Sequence, residues 1–437
     1  MLYPNTNNQT SIVRYLTHRI LLVIPVSAAI GSMVALFLWL LNWAIHYRFQ
    51  HAWLLYLLPL AGIGIHFAYQ LYGKSAEKGN NLIIDEIHRP GAGVPKRMAP
   101  LILVTTVITH LFGGSAGREG TAVQIGGSVA HLFADLFKLD PIEMRTMLTA
   151  GIAAGFGAVF GTPWTGAIFA IEVLTLNRVH YSYLLPCLVA GFMGDLTVSA
   201  WHIQHTPYHI DYVSTGNYFE AANISGTFLL FFKVIIASAC FGLASILFAE
   251  TTHRIKKIAL KFIKITWLIP VVGAIIIIGL TFILGKPDYL SLGVQPEYPG
   301  AVTIVSAFVH GGAGALSWFW KLIYTAITLG MGFKGGEVTP LFYIGATLGN
   351  TLAGLLNAPV SLFAALGFIA VFAGATKTPV ACTIMGVELF GPGHVVFFAV
   401  ACIVAYLASG HSGIYTSQKN GVEPAGYFRI KFGKYKL

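Results

Sequence analysis

The sequence predicts an all-α protein that crosses a membrane many times and is built from two copies of one unit. Three observations lead there. The composition is too apolar for a soluble domain, several charge-free stretches are long enough to span a bilayer, and two glycine-rich motifs recur in the same order in both halves.

Of 437 residues, 56% are hydrophobic and only 10% charged, and the mean hydropathy is +0.71. A soluble domain carries about a quarter charged residues. The run from Ile20 to Ala44 contains no charge and can cross a bilayer unaided. Trp53–Tyr72, Phe228–Phe248 (with Lys233 inside) and Trp267–Leu284 read the same way. The first run exceeds the length of a signal-peptide core and no small-residue cleavage site follows it, so it is expected to be a retained helix.

The formal net charge is +10, and its distribution carries topological information. Arg14 and Arg19 precede the first helix; Lys74, Lys78, Arg89, Lys96 and Arg97 follow the second. A third cluster runs from Arg254 to Lys264, and Lys419, Arg429, Lys431, Lys434 and Lys436 lie near the end. The segment Trp201–Gly226 holds Asp211 and Glu220 but no Lys or Arg. Positive-inside bias then predicts both termini in the cytoplasm and that segment outside. The basic residues sit at helix ends and form no aromatic-studded stripe, which argues against nucleic acid as a partner. Cys187, Cys240, Cys382 and Cys402 are scattered among apolar residues, with no CxxC or HExxH pattern, so no metal or other cofactor is expected. Gly330–Gly335 fits GxGxxG by letters, but it follows a membrane-length apolar segment and no ribose-binding acid lies about twenty residues on.

Thr121–Ala134, Val338–Leu355 and Pro379–Phe390 are too short, or too broken by Gly and Pro, to span alone. Such segments carry most meaning when they recur at corresponding places. GREGTAVQIGG from Gly117 is echoed by GEVTPLFYIGA from Gly336, which sets Ile125-Gly126 on Ile344-Gly345. Further on, Thr162–Glu172 and Thr378–Glu388 each read Thr-Pro and then a glutamate nine residues past the proline. Glu172 and Glu388 read as structural, placed at helix ends against solvent or partner backbone.

A broken helix leaves its first N–H groups without intrahelical partners, and with the aligned peptide dipoles they form a positive pole suited to an anion. Glycine lets that backbone come close. Glu119 lies at such a start, so its carboxylate can itself fill the anion's place, and protonation would release it. Against that stands a plain ion pair with Arg118; ionisable groups inside a membrane are costly and mark function by default.

At these residues the sequence resembles the CLC family of chloride channels and anion/proton antiporters. GREGT at 117–121 is similar to the family's GREGP or GKEGP motif, with Glu119 in the place of its gating glutamate. GGEVTP at 335–340 falls on GGIFAP, and IYTSQ places Tyr415 on the tyrosine that closes the anion site. The resemblance implies two inverted-topology repeats with many tilted and broken helices, and a homodimer with one anion pathway per subunit. It further implies residence in a cell membrane, the bacterial inner membrane being the expected one. The expected division is a cytoplasmic segment 1–19, a first repeat over 20–220, a second over 221–415, and a short cytoplasmic tail over 416–437.

Departures narrow the resemblance. Where the family's GSGIP supplies a chloride-binding serine, the preferred match is GNNLI, with Asn80 in that place; GAGVP at 91–95 is a rival by letters. Thr121 replaces a proline, Glu337 and Thr339 enter a segment that is usually apolar, and Val173 stands where the antiporters carry an inner glutamate. The combination resembles the fluoride/proton antiporter branch. The implied anion-binding residues are Asn80, Gly117, Arg118, Gly120, Val338, Thr339 and Tyr415. Glu119 and Glu337 are the implied gating and proton-handling carboxylates. Glu337 has a structural alternative as a helix cap or a partner of Lys334. The expected function is export of fluoride in exchange for protons, with a chloride-selective antiporter or channel as the alternative. The expectation is not an enzyme, since the glycine-rich starts supply no facing catalytic carboxylate pair.

Overall fold

The computed structural model describes residues 9–91, 93–176, 181–212 and 224–420. Arg429, Lys431, Lys434, Lys436 and Glu220, which entered the charge argument, lie outside the described residues.

The chain opens with α1 (Gln9–Gln50), a 42-residue apolar helix that carries Pro25 in its interior. The run from Trp53 begins as a 3-10 turn, Ala52–Leu57, and continues as α2 (Leu58–Tyr72). There follow α3 (Asn80–His88), α4 (Met98–Leu111), α5 (Glu119–Leu136), α6 (Pro141–Phe160), α7 (Pro163–Glu172) and α8 (Leu184–Ala200). The second half runs through α9 (Ile224–Phe262), α10 (Leu268–Leu284), α11 (Ser317–Gly330), α12 (Val338–Leu356), α13 (Val360–Thr376), α14 (Pro379–Phe390) and α15 (Val395–Ala408). Thr17–Gln50, Ala52–Tyr72, Tyr181–Ala200 and Phe228–Phe262 are long and apolar enough to cross a membrane. Trp39, Phe228, Phe232 and Phe282 are more than half exposed, as suits outward faces in contact with lipid. Inside the apolar run, Lys233 donates through Nζ to the Asn357 carbonyl at 3.0 Å, so its charge has a polar partner.

The series α4 to α8 is repeated as α11 to α15, which is the duplication the motifs predict. Its packing is copied too. Gly126 of α5 lies on Gly151 of α6, and Gly345 of α12 lies on Gly367 of α13. A Cβ at Gly126 or Gly345, both in the helix interior, would stand 2.1 or 2.0 Å from the facing carbonyl oxygen. Without hydrophobic drive between helices in lipid, such backbone-close seams supply the van der Waals contact that holds them.

The paired glutamates settle how the halves are joined. Glu172 ends α7, and its carboxylate accepts the N–H groups of Val380 (3.1 Å) and Ala381 (2.8 Å), which open α14. Glu388, in the last turn of α14, accepts the N–H groups of Trp164 (3.0 Å) and Thr165 (2.8 Å), which open α7. Thr165 Oγ1 adds a bond at 2.5 Å. Each repeat therefore caps the other's proline-initiated half-helix, and the expected role at partner backbone is what the structure has. Both halves satisfy orphan N–H groups that no side chain of their own reaches.

The helical class holds, with one short exception. Thr175–Leu176 pairs in parallel with Lys419–Asn420, a two-residue ladder that fastens the end of the second half to the first. The four cysteines are free; Cys187, Cys382 and Cys402 are buried and Cys240 is half-buried. Among the described residues no cluster of His, Cys, Asp and Glu could hold a metal.

Candidate functional site

The two glycine-rich motifs meet. Gly117 N–H donates to the Gly336 carbonyl at 2.6 Å, and Gly336 N–H returns the bond to Gly117 at 2.7 Å. This antiparallel bridge crosses the backbones at matching points of the two repeats. A side chain at Gly117 would strike the Gly336 carbonyl, at 3.0 Å, and Pro340, at 2.9 Å, so glycine is required by the close approach. Helices α5 and α12 start beside the bridge, and neither Arg118 nor Glu337 caps its own helix through a side chain.

The free helix starts converge on one carboxylate. Glu119 is 1% exposed. Its Oε2 accepts the backbone N–H of Thr339 at 2.9 Å and that of Arg118 at 3.1 Å. Its Oε1 accepts the Thr339 hydroxyl at 2.5 Å and lies 3.5 Å from Arg118 Nε. That last contact is an ion pair without hydrogen-bond geometry, since Nε has no such partner. The carboxylate thus sits where two helix dipoles point, held by three donors from both repeats. Hydrogen bonds to a charged group contribute about 1.5–3 kcal/mol each. Protonating the carboxylate removes the charge those donors favour and leaves a seat shaped for an anion.

Space opens on two sides. Beside Glu119 a cleft of about 20 Å³ is bounded by Arg118, Thr339, Phe160, Phe342, Tyr208 and His205, room for about one water. Phe342 stacks on Phe368 with centroids 3.9 Å apart, which makes this wall stiff. On the other side a cavity of about 140 Å³ is bounded by Asn80, Gln124, Lys334, Glu337 and Tyr415, among others. Asn80 is the first residue of α3, and its Oδ1 is buried with no hydrogen-bond partner. Its Nδ2 lies 3.1 Å from where a Cβ of Gly120 would be, beside Gly336 and the Glu337 backbone. Tyr415 is 6% exposed, on the same cavity.

The residues expected to bind the anion or handle protons lie together here. Gly117, Arg118, Glu119, Gly120, Val338 and Thr339 form the crossing; Asn80, Glu337 and Tyr415 face the adjoining cavity. Glu337 makes neither of its structural alternatives. It caps no helix, and Lys334 instead holds Nζ 4.0 Å above the Tyr69 ring. Of the two stretches matched by letters, GNNLI puts Asn80 on the cavity, whereas Gly91 and Gly93 of GAGVP donate their N–H groups to Glu86, at 2.8 and 3.0 Å. Thr121 uses its hydroxyl on Thr106 at 2.9 Å, a bond proline could not make. Val173, the C-cap of α7, is buried.

Sequence reasoning passed over Gln124, the aromatic wall and the cavity position of Lys334. Gln124 follows Glu119 by five residues on α5 and Lys334 precedes Glu337 by three, so motif proximity was a usable signal for both. The same signal covered Phe342, three residues past Thr339 in the second motif, whereas Phe160 and Tyr208 come from distant segments and carried none.

Comparison with known proteins places this geometry. The family model described as "Voltage gated chloride channel" matches residues 61–410. A "Chloride/fluoride channel protein" of Pseudomonas syringae pv. tomato is 44% identical over 413 residues, covering 94% of this chain and 89% of that protein. A solved CLC-type fluoride/proton antiporter superposes with a TM-score of 0.85 at 32% identity, covering 93% of this chain and 98% of the other. A slow cyanobacterial Cl⁻/H⁺ antiporter superposes with a TM-score of 0.75 at 19% identity, over 91% and 96% of the two chains, and shows the shared fold.

Proposed function

The chain belongs to the voltage-gated chloride channel family, and from that premise we propose that it exports fluoride from the cytoplasm in exchange for protons. One observation carries the reading: the Glu119 carboxylate occupies a seat built from the N–H groups of Arg118 and Thr339 and the Thr339 hydroxyl. An anion and this carboxylate compete for the same donors, and taking up a proton lets the carboxylate yield. Proton movement in one direction is thereby tied to anion movement in the other.

Fluoride is small and strongly hydrated, so its water must be replaced by short, strong donors. The Asn80 amide, the Thr339 and Tyr415 hydroxyls and the N–H groups at Arg118, Gly120 and Val338 are the donors assigned to it; the Gly117 N–H is committed to the Gly336 carbonyl, so Gly117 shapes the crossing and donates nothing to the anion. The similarity to a protein named for chloride and fluoride and to a solved fluoride/proton antiporter supports the choice of ion. Glu337, without an ion pair or cap, is assigned the second proton-handling role that Val173 cannot fill. The working unit is a homodimer in the cell membrane, the bacterial inner membrane for preference, with both termini in the cytoplasm.

The test is reconstitution in liposomes with electrodes for fluoride and protons and a chloride control. Fluoride efflux accompanied by proton uptake supports the proposal. Glu337→Gln is expected to weaken the coupling; full proton-coupled transport by that variant removes Glu337 from the mechanism. The Pseudomonas relative is named for both halides and as a channel. Chloride flux equal to fluoride flux would favour that second reading.

A further inference from the structure

Tyr415 lies in a stretch, 411–418, that has no regular secondary structure, yet its side chain is buried on the cavity wall. Something other than a helix must hold it. Ile414 N–H donates to the Ala375 carbonyl at 2.9 Å. Gln418 Nε2 donates to the carbonyls of Thr376 (2.7 Å) and Val173 (3.1 Å), one from each repeat. Lys377 Nζ ties the preceding turn through Ser409, at 2.6 Å to Oγ and 3.1 Å to the carbonyl. Ser412 Oγ donates to Glu250 Oε1 at 2.7 Å. One further tie differs in kind. Ser417 N–H donates to Asn81 Oδ1 at 3.0 Å, across 336 positions, and Asn81 is the neighbour of Asn80 in the first turn of α3.

We propose that Asn81 is a positioning residue for the Tyr415 gate. Through Ser417 it sets the tyrosine's segment in register with the helix start that presents Asn80 to the anion. The inference rests on the reading of Tyr415 and Asn80 as the two sides of the anion's path. The two asparagines of GNNLI both line the cavity and divide the work: the Asn80 amide serves the anion, and Asn81 holds the opposite wall at a fixed distance from it. The GSGIP pattern has glycine where Asn81 stands and offers no acceptor there, so this tie is a feature of the asparagine motif. A fixed mouth suits a small ion that must be gripped on both sides at once. Slack between the walls weakens that grip more for fluoride than for a larger halide.

The test uses the full chain in liposomes with fluoride and chloride electrodes. Four proteins are compared: unaltered, Asn81→Ala, Tyr415→Ala and the double variant. Losing one hydrogen bond predicts a fall in fluoride flux of about two- to tenfold for Asn81→Ala, with a higher ratio of chloride to fluoride. No further fall is expected when Tyr415 is already alanine, since a residue acting through the gate has nothing left to position. Hydrogen exchange followed by mass spectrometry should show faster exchange over 413–418 in Asn81→Ala. Equal losses in both backgrounds, or unchanged exchange, would overturn the assignment. If Asn81→Ala does not fold, Asn81→Leu deletes the acceptor while keeping the branching of the side chain. Should the unaltered protein move no fluoride, the proposed function has failed, while the exchange measurement still decides whether Asn81 holds the segment.

Discussion

Thr339 and Glu119 stand 220 positions apart, and their contact makes the site. Thr339 brings two donors to one carboxylate, a backbone N–H that any residue would supply and a hydroxyl that few would. Thr339→Val keeps the shape and the N–H but deletes the hydroxyl. One hydrogen bond to a charged acceptor contributes about 1.5–3 kcal/mol, so the apparent affinity for fluoride should fall at least about tenfold. Flux measured across a range of fluoride concentrations checks this; Thr339→Ser should stay close to the unaltered protein. A valine variant with undiminished affinity would mean the hydroxyl serves only the helix start.

Among the helices, the crossed caps are the joint between the repeats. Glu388→Ala leaves the N–H groups of Trp164 and Thr165 without their acceptor, and Glu172→Ala does the same to Val380 and Ala381. Each change should lower stability by about 1–3 kcal/mol, visible as earlier thermal unfolding in detergent, with fluoride–proton coupling retained in the folded fraction. Gly345→Ala is expected to be harsher. Its Cβ would stand 2.0 Å from the Gly367 carbonyl oxygen, so α12 must move off α13 and shift the start that carries Thr339. Reduced expression or reduced fluoride flux would register that movement.

These joints also mark where reading the sequence stopped. The order of motifs told of a duplication, and the repeat of α4–α8 as α11–α15 bears it out, because periodic apolar runs and glycine-broken starts are local signals. Glu119, Asn80 and Tyr415 were legible as candidates through the motifs that contain them, and the structure brings them near one another. That Glu172 reaches α14 while Glu388 reaches α7 was not legible, since nine-residue spacing places a carboxylate at a helix end without saying which backbone it meets. The Gly117–Gly336 bridge was hidden for the same reason: glycine permits a close approach but does not name the partner. The 3-10 opening at Ala52–Leu57 escaped because hydropathy is blind to the difference between one helical winding and another.

For the assembled protein, the basic clusters predict cytoplasmic termini and the implied dimer predicts two independent pathways. Impermeant thiol labelling of single cysteines placed at 209, an exposed position, and at 430 of a cysteine-free background should mark only the former from outside. Native mass spectrometry in mild detergent should give twice the chain mass of 47.1 kDa. Labelling at 430 from outside would reverse the topology without touching the site.

The central claim is that one carboxylate and the transported ion take turns at the same donors. Fluoride and proton fluxes recorded together from liposomes holding the unaltered protein or Glu119→Gln test it most directly. The account predicts opposed fluxes in a fixed ratio for the former, and fluoride movement without proton movement for the latter. Proton transport that stays locked to fluoride in Glu119→Gln would contradict it.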